Sequence, residues 1–186
     1  EIYLKEFIDL MMEDNFIDLS IVKEAMDKKW GFVIDGIGGT GGYTMNRILE
    51  HLLGNSWRNS IHIINADPDP NMKGIAKPDP TKPEVMEQSG LLSVLSQNAN
   101  ITAGGTGDND WDRFTAAIKI NDDDIQKAKK AGLYVSKQGE TWLVQFTADQ
   151  MYTFFGEFQL RRIAQQRFNS EAEIYSPAID KAIKSK

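Results

Sequence analysis

The chain has 186 residues, of which 41% are hydrophobic, and this is enough to bury a core in one domain or two small ones. Its formal net charge is −6 and its isoelectric point is near 5.0, which argues against general nucleic-acid binding because neutralising phosphates requires a basic face. There is no cysteine, which excludes disulfides and thiolate metal sites. The sequence contains no run of about 18 apolar residues, so no membrane-spanning helix is predicted.

Two helices are predicted at the start of the sequence. The segment from Ile2 to Met12 contains so many apolar residues that it is predicted to be a mostly buried helix. Asp18 is placed to cap a second helix, in which apolar residues recur at three- and four-residue steps as far as Trp30.

A strand, a glycine-rich loop, a helix and a second strand follow in that order. Phe32-Val33-Ile34 is a short apolar run typical of a strand. A helical pattern runs from Tyr43 to Leu53, with Gly54 as its C-terminal stop, and Ile61 to Ile64 form the second predicted strand.

The glycine-rich loop is the sharpest candidate for a ligand site. Gly36, Gly38 and Gly41 satisfy G-x-G-x-x-G, in which glycines allow a phosphate to approach the backbone, and Asp67 lies about where a ribose-binding carboxylate is expected. With Asp67-Pro68-Asp69, residues 32–69 resemble the nucleotide loop of the ubiquitin-activating and sulfur-carrier adenylyltransferase family, and this resemblance implies nucleotide binding. The arginine and glutamine pair of that family does not follow the aspartates. The alternative interpretation of the loop is a flexible connector.

A proline-rich segment occupies residues 67–83, which hold five of the six prolines in the chain. Proline removes backbone donors and favours extended neighbours, so the segment is predicted to be a linker or a surface arm. We place a domain boundary there, between an N-terminal region of residues 1–66 and a C-terminal domain of residues 84–186.

The next stretch is predicted to be a helix over residues 84–97, followed by a polar, glycine-rich segment over 98–110. Asp108, Asp110 and Asp112 alternate like the first ligands of a calcium loop. An EF-hand would require glycine and glutamate where this chain has Arg113 and Lys119, so the aspartates are interpreted as caps of a helix over 111–118. A further helix is predicted over residues 121–131.

A β-hairpin and a long helix are predicted in the C-terminal part. Residues 133–146 contain two β-rich runs around Gly139, and Thr147-Ala148-Asp149-Gln150 is a capping box that should start a helix at Ala148. The tail, residues 169–186, has the apolar spacing of a docking helix. The predicted fold class is therefore α+β, mainly helical, with a C-terminal hairpin packed on a long helix and a short N-terminal strand–helix–strand.

The long helix carries the predicted interaction residues. Phe154, Phe155 and Phe158 lie with Met151 on about one third of the helix circumference, which predicts that this face is buried. Arg161, Arg162 and Arg167 form a local cluster that could contact an acidic partner, but a solvated helix face is the simpler interpretation. The covering partner is either another copy of the protein or the N-terminal helices.

No catalytic constellation is evident in the sequence. His51 and His62 lie on a predicted helix and a predicted strand with no third ligand, so no metal site is predicted, and there is no Gly-x-Ser-x-Gly motif. The sequence therefore predicts a protein that is not an enzyme and has no cofactor.

In element order, residues 111–168 resemble a module of bacteriophage tail and tail-fibre accessory proteins: a helix pair, a hairpin carrying Trp142, the capping box and a long helix. This resemblance implies a structural or assembly role in a virion, as a head-tail connector, tail or fibre-attachment protein made in the host cytoplasm. The expected partners are other copies of the chain and neighbouring virion proteins, with no membrane or nucleic acid. The alternative function is a small nucleotide-binding protein that uses Gly36, Gly38, Gly41 and Asp67.

Overall fold

The structure is a computed structural model that describes residues 2–13, 18–108 and 111–168. The α-helices in this part of the chain are α1 (Ile2–Glu13), α2 (Leu19–Asp27), α3 (Gly41–Leu53), α4 (Pro83–Gln88), α5 (Leu91–Gln97), α6 (Asp122–Lys130) and α7 (Ala148–Phe168). The strands are β1 (Gly31–Asp35), β2 (Ile61–Ile64), β3 (Ile101–Gly107), β4 (Phe114–Ile120), β5 (Tyr134–Gln138) and β6 (Thr141–Phe146). Short 3-10 helices lie at Gly54–Asn59 and Met72–Gly74.

All six strands form one mixed sheet in the order β2-β1-β3-β4-β6-β5. β1 pairs in parallel with β2 and β3, and the remaining neighbours are antiparallel. The fold is therefore α/β, which corrects the prediction of a mainly helical α+β protein. The predicted strand–helix–strand (β1, α3, β2) and hairpin (β5, β6) are confirmed, but the hairpin belongs to this sheet because β6 pairs with β4.

Helices cover both faces of β1. Val33 packs with Leu91 and Leu95 of α5, whereas its neighbour Ile34 packs with Leu49 of α3. Successive side chains of a strand point to opposite faces of a sheet, so α3 and α5 lie on opposite faces. This part of the chain thus has an α/β/α arrangement, with apolar clusters on both sides of the sheet.

β3 and β4 were not predicted. The sequence indicated only a polar, glycine-rich segment over residues 98–110, where β3 lies, and the helix predicted over 111–118 was wrong because β4 begins at Phe114. Glycine is normally unfavourable in a strand, but β3 runs between close neighbours. A methyl group on Gly104 would lie 2.4 Å from Cγ1 of Val33, and one on Gly105 would lie 2.3 Å from the ring of Phe114. The glycines are therefore required for packing, and this contribution outweighs their weak strand preference.

The other helices agree closely with the sequence. α1, α2 and α6 form where predicted, and the predicted helix over 84–97 divides into α4 and α5 at Gly90, whose φ is 87°. The capping box is confirmed, since Thr147 N–H donates to Oε1 of Gln150 at 2.9 Å and Gln150 N–H donates to Oγ1 of Thr147 at 3.3 Å. The helix predicted for residues 169–186 lies outside the described residues.

The chain forms two compact units, Glu1–Met151 and Tyr152–Lys186. The proline-rich segment over 67–83 joins β2 to α4 inside the first unit, and Pro80 within it is fully buried. The domain boundary predicted at this segment stays a prediction. Among the described helices, none has the length and apolar character needed to cross a membrane.

Candidate functional site

Asp35 ends β1 with its carboxyl group buried. Oδ1 of Asp35 accepts hydrogen bonds from the backbone N–H of Ile37 and from Nδ2 of Asn65, both at 2.9 Å. Within the described part of the chain, Oδ2 has no hydrogen bond of ordinary geometry. Burial raises the pKa of Asp35, and the nearby Ser89 hydroxyl, the Asn65 amide and the Ile37 N–H oppose this increase.

Asn65 connects this carboxyl group to two other segments. It directly follows β2, and its Nδ2 also donates to the backbone carbonyl of Ser89, between α4 and α5, at 3.0 Å. Asn65 has a φ of 48°, a left-handed conformation that asparagine tolerates better than most residues. One amide group thus joins the ends of β1 and β2 to the helical connection that leads to β3.

Asp108 lies at the same edge, directly after β3. Asp35 pairs in register with Thr106, so Asp108 follows two residues beyond the level at which β1 ends. The hydroxyl of Thr106 donates to the backbone carbonyl of Asp35 at 3.2 Å, which fixes the two strand ends to each other. Carboxyl ends of adjacent parallel strands are the usual position of ligand sites in α/β proteins.

Arg113 closes the loop that begins at Asp108. Its backbone N–H donates to Oδ1 of Asp108 at 3.1 Å, and its Nε donates to Oδ2 at 2.8 Å. Burial raises the pKa of Asp108, but the hydrogen bonds from the Arg113 backbone N–H and guanidinium, together with the guanidinium charge, bring it below its ordinary value. The Asp108 carboxyl group is thus held ionised.

Two further carboxylates surround the same guanidinium. Oδ1 of Asp112 lies 3.5 Å from Nε of Arg113, and Oδ1 of Asp79, in the proline-rich segment, lies 3.4 Å from NH1. The Thr81 hydroxyl, by hydrogen bonding, contributes most to lowering the pKa of Asp79. We call Asp35, Asp79, Asp108, Asp112 and Arg113 the acidic edge.

Only part of this group shows a local sequence pattern. The alternating aspartates were identified, but their interpretation as helix caps was wrong because residues 114–120 form β4. Asp79 and Arg113 are 34 positions apart in the chain, and no local pattern connects them. Among the described residues no three His, Cys, Asp or Glu side chains are grouped for metal binding, and Asp110 lies outside those residues.

The glycine loop uses its backbone donors within the protein. The N–H groups of Gly36 and Gly38 donate to the carbonyls of Ile64 and Asn65 at 2.9 and 3.1 Å, and Gly39 N–H donates to Gly36 at 2.8 Å. Gly41 lies beneath the indole of Trp111, and Asp67 is exposed beyond β2. Loop packing therefore accounts for Gly36, Gly38 and Gly41 without a bound nucleotide.

The predicted interaction residues lie on α7. Phe154 and Phe155 are exposed, with ring centroids 6.0 Å apart, and the predicted cover of this face is another copy of the protein or the N-terminal helices. Arg161 pairs with Glu157 of the same helix at 2.6 Å, and the guanidinium of Arg162 lies 5.9 Å from the ring centroid of Phe158. Self-association through these residues stays a prediction.

Residues 5–120 match a family model described as phosphoglucomutase/phosphomannomutase, alpha/beta/alpha domain II. No curated protein and no solved structure matches the chain significantly. The family match overturns the resemblance to bacteriophage tail proteins, which began only at residue 111, and with it the virion location. It also contradicts both predicted functions and the prediction that the protein is not an enzyme, because the matched family is one of isomerases.

Proposed function

The chain belongs to the phosphoglucomutase/phosphomannomutase family through its α/β/α domain II, and from this premise we propose that it forms part of a phosphohexose mutase acting at the acidic edge. Such an enzyme moves a phosphoryl group between two hydroxyl oxygens of a hexose. One O–P bond breaks and another forms, so the composition of the sugar phosphate does not change.

The position of the acidic edge within the matched region supports this proposal. Residues 5–120 include β1 to β4 and every residue of the acidic edge. The edge lies at the carboxyl ends of the parallel strands β1 and β3, where α/β folds bind their ligands. The observation that supports this proposal is that Asp79, Asp108 and Asp112 surround the guanidinium of Arg113 within the matched region.

Phosphoryl transfer requires positive charge around the transferred group. Arg113 supplies one cation, and a divalent metal ion would supply more. The carboxylates of Asp108 and Asp112 lie 2.8 and 3.5 Å from Nε of Arg113, so they lie close together. Mg²⁺ prefers such oxygen ligands and polarises phosphoryl oxygens when bound. We assign Asp108 and Asp112 to its binding.

The cation assignment is tested with Mn²⁺, which substitutes for Mg²⁺ and is detected by electron paramagnetic resonance. The full chain should bind Mn²⁺, and Asp112→Asn should weaken binding at least about tenfold. Asp122→Asn is the matched control, because Asp122 is exposed in the first turn of α6. Equal Mn²⁺ binding by all three proteins, or none by the full chain, would contradict the assignment.

The substrate class is tested separately with glucose 1-phosphate and glucose 6-phosphate. Their ³¹P resonances should broaden or shift in the presence of the chain, and Arg113→Ala should abolish this effect because it removes the cation that we assign to the phosphate. Unchanged ³¹P spectra with both sugar phosphates would overturn the proposed function.

A further inference from the structure

Trp111 lies between the two loops at the carboxyl edge of the sheet. Its indole covers the start of α3, because a methyl group on Gly41 would lie 1.5 Å from Nε1 and 1.9 Å from Cδ1 of Trp111. On its other side, a methyl group on Gly107 would lie 2.8 Å from Cδ2. The indole therefore requires glycine both at the first residue of α3 and at the end of β3.

The conformation of Trp111 is unfavourable in two respects. Its φ is 61°, a left-handed backbone that bulky residues rarely adopt. Its Nε1 is also buried without a hydrogen-bond partner in the described part of the chain, which leaves a desolvated donor unsatisfied. Packing must outweigh both costs for this arrangement to persist.

That packing comes from two sources. The indole lies against the apolar cluster of Ile34, Leu49 and Trp57, and its ring centroid is 5.9 Å from that of Phe114. The Trp111 side chain therefore extends from the loop after β3 into the apolar core between α3 and the sheet. Aromatic side chains supply large contact areas of this kind.

Trp111 also stands inside the loop that carries the ionised side chains. Its backbone N–H donates to the carbonyl of Asp108 at 3.2 Å, and Asp108 N–H donates to the carbonyl of Arg113 at 3.2 Å. Asp112 and Arg113 are the next two residues. A shift of the indole would move their backbone, because they directly follow Trp111 in the chain.

We propose that Trp111 is a positioning residue, whose indole packs against the start of α3 and so sets the places of Asp112 and Arg113. This inference deepens the proposed function and rests on it for the ligand. Trp111 itself touches neither the phosphate nor the metal ion; it acts through the two residues that follow it.

Three substitutions separate positioning from simple core filling. Trp111→Phe keeps a ring and removes the unsatisfied donor, whereas Trp111→Gly removes the ring and suits the left-handed backbone. Gly41→Ala leaves Trp111 intact but places a methyl group where the indole lies. Gly156→Ala is the matched control, because a methyl group at Gly156 meets nothing within 4 Å.

The first readout is Mn²⁺ affinity of the full chain at a temperature where every variant is folded. Trp111→Gly and Gly41→Ala should each weaken Mn²⁺ binding about tenfold, as for groups that orient metal ligands, while Trp111→Phe and Gly156→Ala should stay near the wild type. Wild-type affinity in both Trp111→Gly and Gly41→Ala would overturn the inference.

The second readout requires no ligand and therefore separates failure of this inference from failure of the proposed function. The Nε–H of Arg113, hydrogen-bonded to Asp108 at 2.8 Å, should give a distinct, slowly exchanging ¹⁵N resonance. Gly41→Ala should move it to the position of an exposed arginine, and Gly156→Ala should not. If the resonance is unchanged in Gly41→Ala, Trp111 does not position Arg113, whether or not the chain binds Mn²⁺.

Discussion

Asn65 donates one side-chain hydrogen to Asp35 at 2.9 Å and so couples the ends of two adjacent parallel strands. The second hydrogen of the same amide goes to the carbonyl of Ser89 at 3.0 Å. The buried carboxyl of Asp35 and the crossover between β2 and β3 therefore depend on one side chain. A buried acceptor that loses its donor has no water to replace it.

Replacing Asn65 with alanine should destabilise the fold by about 1–3 kcal/mol, because it removes one of the two hydrogen bonds to Oδ1 of Asp35 and the hydrogen bond to the Ser89 carbonyl. Part of that cost is backbone strain, because alanine is less suited than asparagine to a positive φ, and Asn65→Gly isolates the hydrogen-bond contribution. Urea unfolding provides the measurement. Asn55→Ala is the control, since Asn55 is exposed and bonds only with Arg58 among the contacts shown. Equal stability of Asn65→Ala and Asn55→Ala would rule out this role of Asn65.

The raised pKa of Asp35 predicts a pH dependence of stability with a definite sign. Below both pKa values the carboxyl is protonated in the folded and unfolded states. As the pH rises from the ordinary aspartate pKa to the higher folded-state pKa, the unfolded state releases its proton first, so the wild type loses stability.

Asparagine at position 35 can accept the same hydrogen bonds without titrating. The stability of Asp35→Asn relative to the wild type should therefore increase through that pH window and become constant above it. Urea unfolding of both proteins from about pH 3 to about pH 8 measures the difference. Asp67→Asn, at an exposed position, is the control, and a pH-independent difference for Asp35→Asn would contradict the prediction.

The elements predicted correctly are those with strong local signals. β1 and β2 are apolar runs, the hairpin contains β-branched and aromatic residues around Gly139, and the capping box is a four-residue pattern. These signals require no knowledge of distant residues. β3 has the opposite character, because its glycines indicate a strand only when the neighbouring Val33 and Phe114 are known.

The acidic edge was harder to predict for the same reason. Asp35 meets Thr106 through the pairing of β1 with β3, and Asp79 meets Arg113 across the sheet edge. These contacts depend on the register of the strands, and the register is set by how all the buried side chains pack together and not by any local pattern. The alternation of Asp108, Asp110 and Asp112 was visible, but its chemical meaning depended on recognising the strand before it.

The capping box at the start of α7 yields a prediction about helix stability. Thr147→Ala removes the hydroxyl that accepts from Gln150 N–H at 3.3 Å and should cost about 0.5–2 kcal/mol. Thr147→Ser retains a hydroxyl and should stay within about 0.5 kcal/mol of the wild type. Urea unfolding followed by circular dichroism at a helix-sensitive wavelength compares them. If the alanine and serine variants are equally stable, the Thr147 hydroxyl does not stabilise α7.

Gly104→Ala should be among the more destabilising single-methyl changes in the sheet. The added methyl group would lie 2.4 Å from Cγ1 of Val33, 2.9 Å from the Val33 carbonyl and 3.0 Å from Cδ1 of Leu91. Overpacking of this kind costs roughly 1–3 kcal/mol, since both neighbours are fully buried. Gly156→Ala is the control, where a methyl group meets nothing within 4 Å and alanine favours the helix.

A double-mutant cycle with Val33→Ala tests the cause of this destabilisation. Removing Cγ1 of Val33 opens space for the new methyl group, so the two substitutions together should cost less than the sum of their separate effects. The expected coupling is about 0.5–3 kcal/mol, measured as free energies of unfolding in urea. Strict additivity would mean that the contact between β1 and β3 does not explain the glycine at position 104.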